Sequence, residues 1–172
     1  MSATTSPVAG PRHPDGRFMR RHPAHWIALG CGSGLPRTAP GTFGTLFAWL
    51  VFLLVDRWLQ GAGWAILILV TLAVGAWAAE RTGAALGVAD SSHIVIDEIA
   101  AFWIVLAMLP AGASLLMQFA AFVLFRIFDI VKPPPIRAID QRFKQGFGVM
   151  LDDVVAAFYT LLVLSLLLRL IR

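Results

Sequence analysis

Five acids and two bases mark the places where this chain could do chemistry: Asp97 and Glu98, Asp129, Asp152 and Asp153, together with Arg126 and Lys132. All stand at the edges of strongly apolar segments, where an ionised side chain is costly unless it has a partner. Most of them fall in one stretch, FRIFDIVKPPPIRAIDQRFKQGFGVMLDD, which runs from Phe125 to Asp153. An aspartate near a helix C-terminus opposes the negative end of the macrodipole, so Asp129 needs compensation, and Arg126 three residues earlier can provide it. Pro133 to Pro135 forbid helix, while Gly146 and Gly148 loosen the chain before the next one. Such a turn would fold Asp129 back beside Asp152 and Asp153 to bind a divalent metal.

Asp97 and Glu98 open a separate apolar segment. Each acidic pair has a plainer reading, as acids that favour the positive end of a helix. Two pairs and Asp129 on one face of an apolar protein favour a shared ion instead. Mg2+ suits them, because it takes hard oxygen ligands, retains water and needs only a few carboxylates beside substrate phosphate oxygens. Arg126 and Lys132 could neutralise a phosphate, or could pair with Asp129 and reach toward the interface. The loop from Gly32 to Gly44 could present amides to a phosphate at the start of a helix, or could be an ordinary cap with Thr42 as N-cap. His93 reads as a hydrogen-bonding loop residue. Cys31 to Thr38, CGSGLPRT, matches the Cys-x5-Arg-Thr spacing of thiol phosphatases, but Pro36, Pro40 and Gly41 disfavour the helix that chemistry needs.

The elements that must position these groups are apolar. Of 172 residues, 58% are hydrophobic and 14% charged, and the mean hydropathy is +0.76, which points to a membrane protein. The formal charge of +4 comes without a basic stripe, so no nucleic-acid partner is expected. One cysteine excludes an internal disulfide. Residues 1–24 read as a disordered basic tail rather than a signal peptide, and residues 25–172 as one helical domain. Gly75, Ala79, Gly83 and Gly87 recur every four residues as close-packing positions. The six tryptophans read as interfacial or packing aromatics.

Five apolar segments follow, at about 43–58, 63–79, 98–109, 113–128 and 154–171. The expected fold is all-α, a compact, membrane-embedded bundle of four to five apolar helices. Pro110 to Gly112 divide the third and fourth segments, which favours a hairpin over one kinked helix. If all five cross, the polar loops share one side, and that side holds every basic residue except Arg57, Arg169 and Arg172. The positive-inside rule makes it cytoplasmic.

Four blocks, GSGLPRTAPGTFGTL (32–46), HIVIDEIAAFW (93–103), FRIFDIVKPPPI (125–136) and GFGVMLDDVVAAFYT (146–160), resemble in order the signatures of the phosphatidylglycerophosphatase A family. The likeness covers about residues 26–165. Pro134 and the Pro36-Arg37 pair depart from the common pattern. The resemblance implies an Mg2+-dependent phosphomonoesterase that converts phosphatidylglycerophosphate to phosphatidylglycerol and inorganic phosphate at the bacterial inner membrane. Carried onto this chain, it makes Asp97, Glu98, Asp129, Asp152 and Asp153 metal-binding and catalytic. Lys132 joins them as a catalytic residue, and Arg126, Lys132 and Thr42 would meet the phosphate. Membrane lipid is the expected surroundings, and an oligomer is compatible with the sequence. The alternative is a membrane carrier of divalent cations, in which the same acids would line a passage, ideally near mid-bilayer.

Overall fold

The computed structural model describes residues 13–88, 91–134, 136–137 and 147–170. Among these there are seven helices and no strand. Two short helices, α1 (Gly16–Met19) and α2 (Pro23–Ala28), lead through a 3-10 turn at Gly30–Gly32 to five longer ones: α3 (Pro40–Val55), α4 (Ala62–Leu86), α5 (Ile96–Ala107), α6 (Leu115–Val131) and α7 (Phe147–Leu170).

The ends follow from local chemistry. Pro40 supplies the fixed φ of a first helical residue in α3. Ser114 caps α6 by accepting from the Met117 amide at 3.2 Å. Gly87 ends α4 in the left-handed conformation, with its own amide on Ala84 O and that of Val88 on Gly83 O, the paired bonds of a Schellman motif. Gly87 is thus a cap with open space around it, and not the packing position its spacing suggests. Gly75 does pack closely, since a Cβ there would meet Met150 and Ile96.

Helix α5 is the centre, with α3, α4, α6 and α7 packed around it. Its residues Ile99, Ala100, Ala101, Phe102, Val105 and Leu106 are buried, so it is apolar nearly all round, as a core helix should be. Twelve residues span roughly 18 Å, too short for about 30 Å of hydrocarbon. Only α4 and the Met150–Leu170 part of α7 are long and apolar enough to cross a membrane among the described residues. Most of each lies on the outside of the bundle, and Leu69, Val70, Leu116, Phe119, Leu166 and Leu50 extend the exposed apolar surface. This surface fits a membrane protein. Of the four to five apolar helices expected, these two are the ones that reach membrane-spanning length among the described residues.

Pro110 to Gly112 turn the chain as expected, and α5 and α6 are separate helices. Two further expectations change. The expected tail holds α1 and the start of α2, with Phe18 and Met19 buried against Leu29 and Leu86; residues 1–12 lie outside the described part. Helix α7 begins at Phe147, so Gly148 sits inside it, while Gly146 lies outside the described residues. The tryptophans divide: Trp64 and Trp103 are buried and bonded to Asp56 and Ala48 O, whereas Trp26, Trp58 and Trp77 are exposed.

Candidate active site

One end of the bundle gathers the N-terminal turns of α3 and α5, the C-terminal turn of α6 and the second turn of α7. Asp97 and Glu98 lie in the first turn of α5, where the dipole favours them. Asp152 and Asp153 do not open α7, because no acid lies in its first turn. The helix dipole therefore explains the first pair and leaves the second, both buried, needing another reason.

Asp129 occupies the unfavourable last turn of α6 and has the predicted compensation. Arg126 Nη1 donates to Asp129 Oδ2 at 2.6 Å and to Glu98 Oε1 at 3.0 Å, tying α6 to α5. Thr45 Oγ1, on α3, lies 3.4 Å from the same nitrogen and itself donates to Gly41 O at 2.9 Å. Lys132 Nζ reaches Asp152 Oδ2 at 2.7 Å, tying the end of α6 to α7. Lys132 has φ of 46°, the left-handed region, immediately before Pro133. That backbone is strained for a non-glycine residue, by about 1–3 kcal/mol, and strain of this kind recurs where a side chain must be aimed. The turn beyond it is anchored by fully buried Ile136 and by Tyr159 Oη, which donates to Pro134 O at 3.2 Å.

The four acids other than Glu98 are all buried, and Glu98 is nearly so. Burial first, and then the neighbouring Glu98 charge, holds the Asp97 carboxyl well above the usual carboxylate range, although the Glu98 amide donates to its Oδ1 at 2.9 Å. Burial and the Asp129 charge push Glu98 up to about 8, with Arg126 opposing. Asp153 lies within electrostatic reach of Asp129, Asp97, Asp152 and Glu98. Five carboxylates against Arg126 and Lys132 leave a formal charge of −3 when all are ionised.

That imbalance suits a bound cation. Glu98 Oε2 and Arg126 Nε are buried without a hydrogen-bond partner, a costly state that a ligand would relieve. The donors are all hard carboxylate oxygens, the set that Mg2+ prefers. Among the described residues no three acidic, histidine or cysteine side chains form a ready-made ligand set, so water or substrate oxygens would have to complete the shell.

Sequence reading missed the role of α3. Ala39, with φ of 49°, is its N-cap; Thr42 is not, and its amide already donates to Ala39 O at 3.0 Å. Thr42 therefore has no free amide to present to a phosphate. Gly41 and Gly44 are what let α3 approach: a Cβ at Gly41 would strike Glu98 Oε1 and press on Arg126, and one at Gly44 would strike Val95. The GTFGT spacing was the available signal. His93 is a loop tie, as read, with Nδ1 2.7 Å from Gly34 O. Gly34 cannot carry a side chain there, because a Cβ would overlap His93 O. The Val95 amide donates to Ala28 O at 2.9 Å, completing the seam between the Gly-rich loop and α5. Cys31 is an exposed free cysteine. Asp90, Arg142 and Lys144 lie outside the described residues.

A family model described as phosphatidylglycerophosphatase A matches residues 26–168. A Haemophilus influenzae protein named phosphatidylglycerophosphatase A is 42% identical over 144 residues, covering 83% of this chain and 86% of that protein. Its Escherichia coli namesake is 37% identical over 149 residues, covering 85% and 86%. A Bacteroides thetaiotaomicron protein, provisionally named phosphatidylinositol-3-phosphatase, is 42% identical over 145 residues, covering 81% and 89%. No solved structure matches. With these relatives beside it, the chain, helical throughout its described residues, is a phosphatase acting on a phosphate monoester. The chain belongs to the phosphatidylglycerophosphatase A family.

Proposed function

We propose that this protein is an Mg2+-dependent phosphatase that hydrolyses phosphatidylglycerophosphate to phosphatidylglycerol and inorganic phosphate. It would work as a multi-pass protein of the bacterial inner membrane, with its acidic centre facing the cytoplasm. The observation that carries this reading is the convergence of acids from α5, α6 and α7 on one end of the bundle, with Arg126 and Lys132 between them. Two relatives bear the name of that activity.

Asp97, Glu98, Asp129, Asp152 and Asp153 are the residues that would hold the metal. When bound, Mg2+ supplies positive charge for the phosphoryl oxygens and makes water more acidic. Lys132 faces the acids from the end of α6 and is placed to exchange part of its contact with Asp152 for a phosphate oxygen. Arg126 is doubly engaged through Nη1 with Glu98 and Asp129, so it chiefly fixes those carboxylates, and its buried Nε–H is a donor without a partner. A carboxylate of the cluster takes a proton from water as the water oxygen bonds to phosphorus. The phosphorus–glycerol oxygen bond breaks, and a proton reaches the departing glycerol oxygen. Acyl chains would stay in the leaflet beside α4 and α7 while the headgroup enters the acidic end.

The carrier alternative asks for acids along a passage. Asp97, Glu98, Asp129, Asp152 and Asp153 gather at one end, and Asp56 at the other is exposed and bonded to the Trp64 indole at 2.9 Å. The name of the Bacteroides relative favours a second substrate reading, a phosphoinositide monophosphate. Phosphate release by the purified protein from both lipids, with and without EDTA, tests the proposal. Metal-dependent release from phosphatidylglycerophosphate supports it. Release from the inositol lipid alone, or cation transport without hydrolysis, would overturn it.

A further inference from the structure

A second cleft lies between α2 and α4, with a cavity of about 320 Å³ lined by Arg21, His22, His25, Arg81, Ala84 and Ala85. Four of these six carry basic or imidazole groups, and no carboxylate lines the cleft. Arg21 and Arg81 are exposed and make no salt bridge among the described residues. The acid that feels Arg21, Asp15, already accepts from the Phe18 amide at 2.7 Å. Glu80 precedes Arg81 in the helix, and adjacent helical residues do not face each other.

The floor is fixed rather than fluid. His25 is buried, stacked on Phe18 with ring centroids 4.3 Å apart, and its Nδ1 lies 2.9 Å from Thr82 Oγ1. His22 is held by the Ala24 amide at 3.1 Å, with its ring 6.0 Å from that of Trp77. Val70, Val74 and Trp77 are exposed, and their spacing of four and three residues continues by four to Arg81. One face of a membrane-length helix thus carries an apolar stripe that passes an indole and ends on a guanidinium.

We propose that this cleft binds the phosphate of an anionic phospholipid that is not the substrate molecule, with its acyl chain along the Val70, Val74 and Trp77 stripe. Arginine pairs with phosphate oxygens through two parallel N–H donors, and two arginines line this one cleft. The cleft lies at the same end of the bundle as the acids, since Ala28, the last residue of α2, is bonded to Val95 just before α5. Both would therefore meet the same layer of headgroups. A free phosphate shares the charge but leaves the stripe uncovered, which is why the lipid is the assigned ligand.

The test is thermal unfolding of the detergent-solubilised full chain in EDTA, titrated with a water-soluble short-chain phosphatidylglycerol, with phosphatidylcholine of the same chain length, and with inorganic phosphate. Phosphatidylglycerol should raise the midpoint, phosphatidylcholine should not, and phosphate should give less than the lipid at equal concentration. The double variant Arg21→Gln/Arg81→Gln should need at least about tenfold more phosphatidylglycerol for half the shift. Trp77→Ala, which spares both arginines, should weaken the lipid response and leave the phosphate response alone, so a misfolded double variant does not end the test. Asp97→Asn should keep the full lipid response. An unchanged response in the arginine variant, loss of it in Asp97→Asn, or a phosphate response equal to that of the lipid would each overturn the assignment.

Discussion

Arg126 is where single substitutions should speak most clearly. It serves Glu98 and Asp129 together, so Arg126→Met would leave two largely buried carboxylates without their cation. Breaking a buried pair in this way costs about 3–5 kcal/mol, and chemical denaturation in detergent should register a loss of that order. Asp97→Asn acts in the opposite sense. It removes one of five crowded carboxylates, so the metal-free protein should melt no lower than the native one, while phosphate release falls by roughly 100-fold or more. A variant that melts early would instead make Asp97 a structural residue. Gly41→Ala forces a methyl group onto Glu98 and should cost about 1–3 kcal/mol as overpacking, with activity falling alongside. A neutral Gly41→Ala would mean that α3 is free to back away from the acids. Asp129 and its arginine were legible in the sequence, because dipole and spacing arguments are local. Gly41, Gly44 and Thr45 were not, because a glycine's reason lies in what touches it from another helix.

At the scale of elements, the long helices were readable from apolar runs, and the errors collect at their ends. The start of α7 was placed too late because Asp152 and Asp153 look like a helix opening; the helix instead begins at Phe147 and carries them one turn inward. The short α1 and α2 were hidden altogether, since 4 and 6 residues show no periodicity and only Phe18 and Met19 point to a core. Their packing yields a pH prediction. Burial, then the nearby His22, Arg81 and Arg21 charges, lowers the His25 pKa below its ordinary value. The unfolded chain therefore binds the proton more readily, so the stabilisation is complete above about 6.5 and is lost as pH falls through the folded value. Between pH 7.5 and 5 the native melting midpoint should fall more than that of His25→Gln. Equal falls would contradict a neutral, buried His25.

For the whole molecule, five apolar segments made a membrane protein legible, but not how many of them span, because length and packing partner decide that. Helix α5 is apolar since its neighbours are protein, whereas α4 and α7 are apolar on faces left open. The up-and-down order of the helices puts Ser92, exposed before α5, at the acidic end, and Ala111, exposed between α5 and α6, at the other. In a Cys31→Ser background, an impermeant thiol reagent should label Ala111→Cys in cells with a permeabilised outer membrane, and Ser92→Cys only after lysis. The reverse pattern would place the acidic end outside and remove it from a cytoplasmic substrate.

Inorganic phosphate released from phosphatidylglycerophosphate by the purified native protein, followed before and after chelation and again on adding Mg2+ back, bears on the acidic centre most directly. The carboxylate cluster predicts release that stops with EDTA, returns with Mg2+, and is missing at every Mg2+ concentration in Asp153→Asn. Release that continues at full rate in EDTA, or an Asp153→Asn protein as active as the native one, would contradict it.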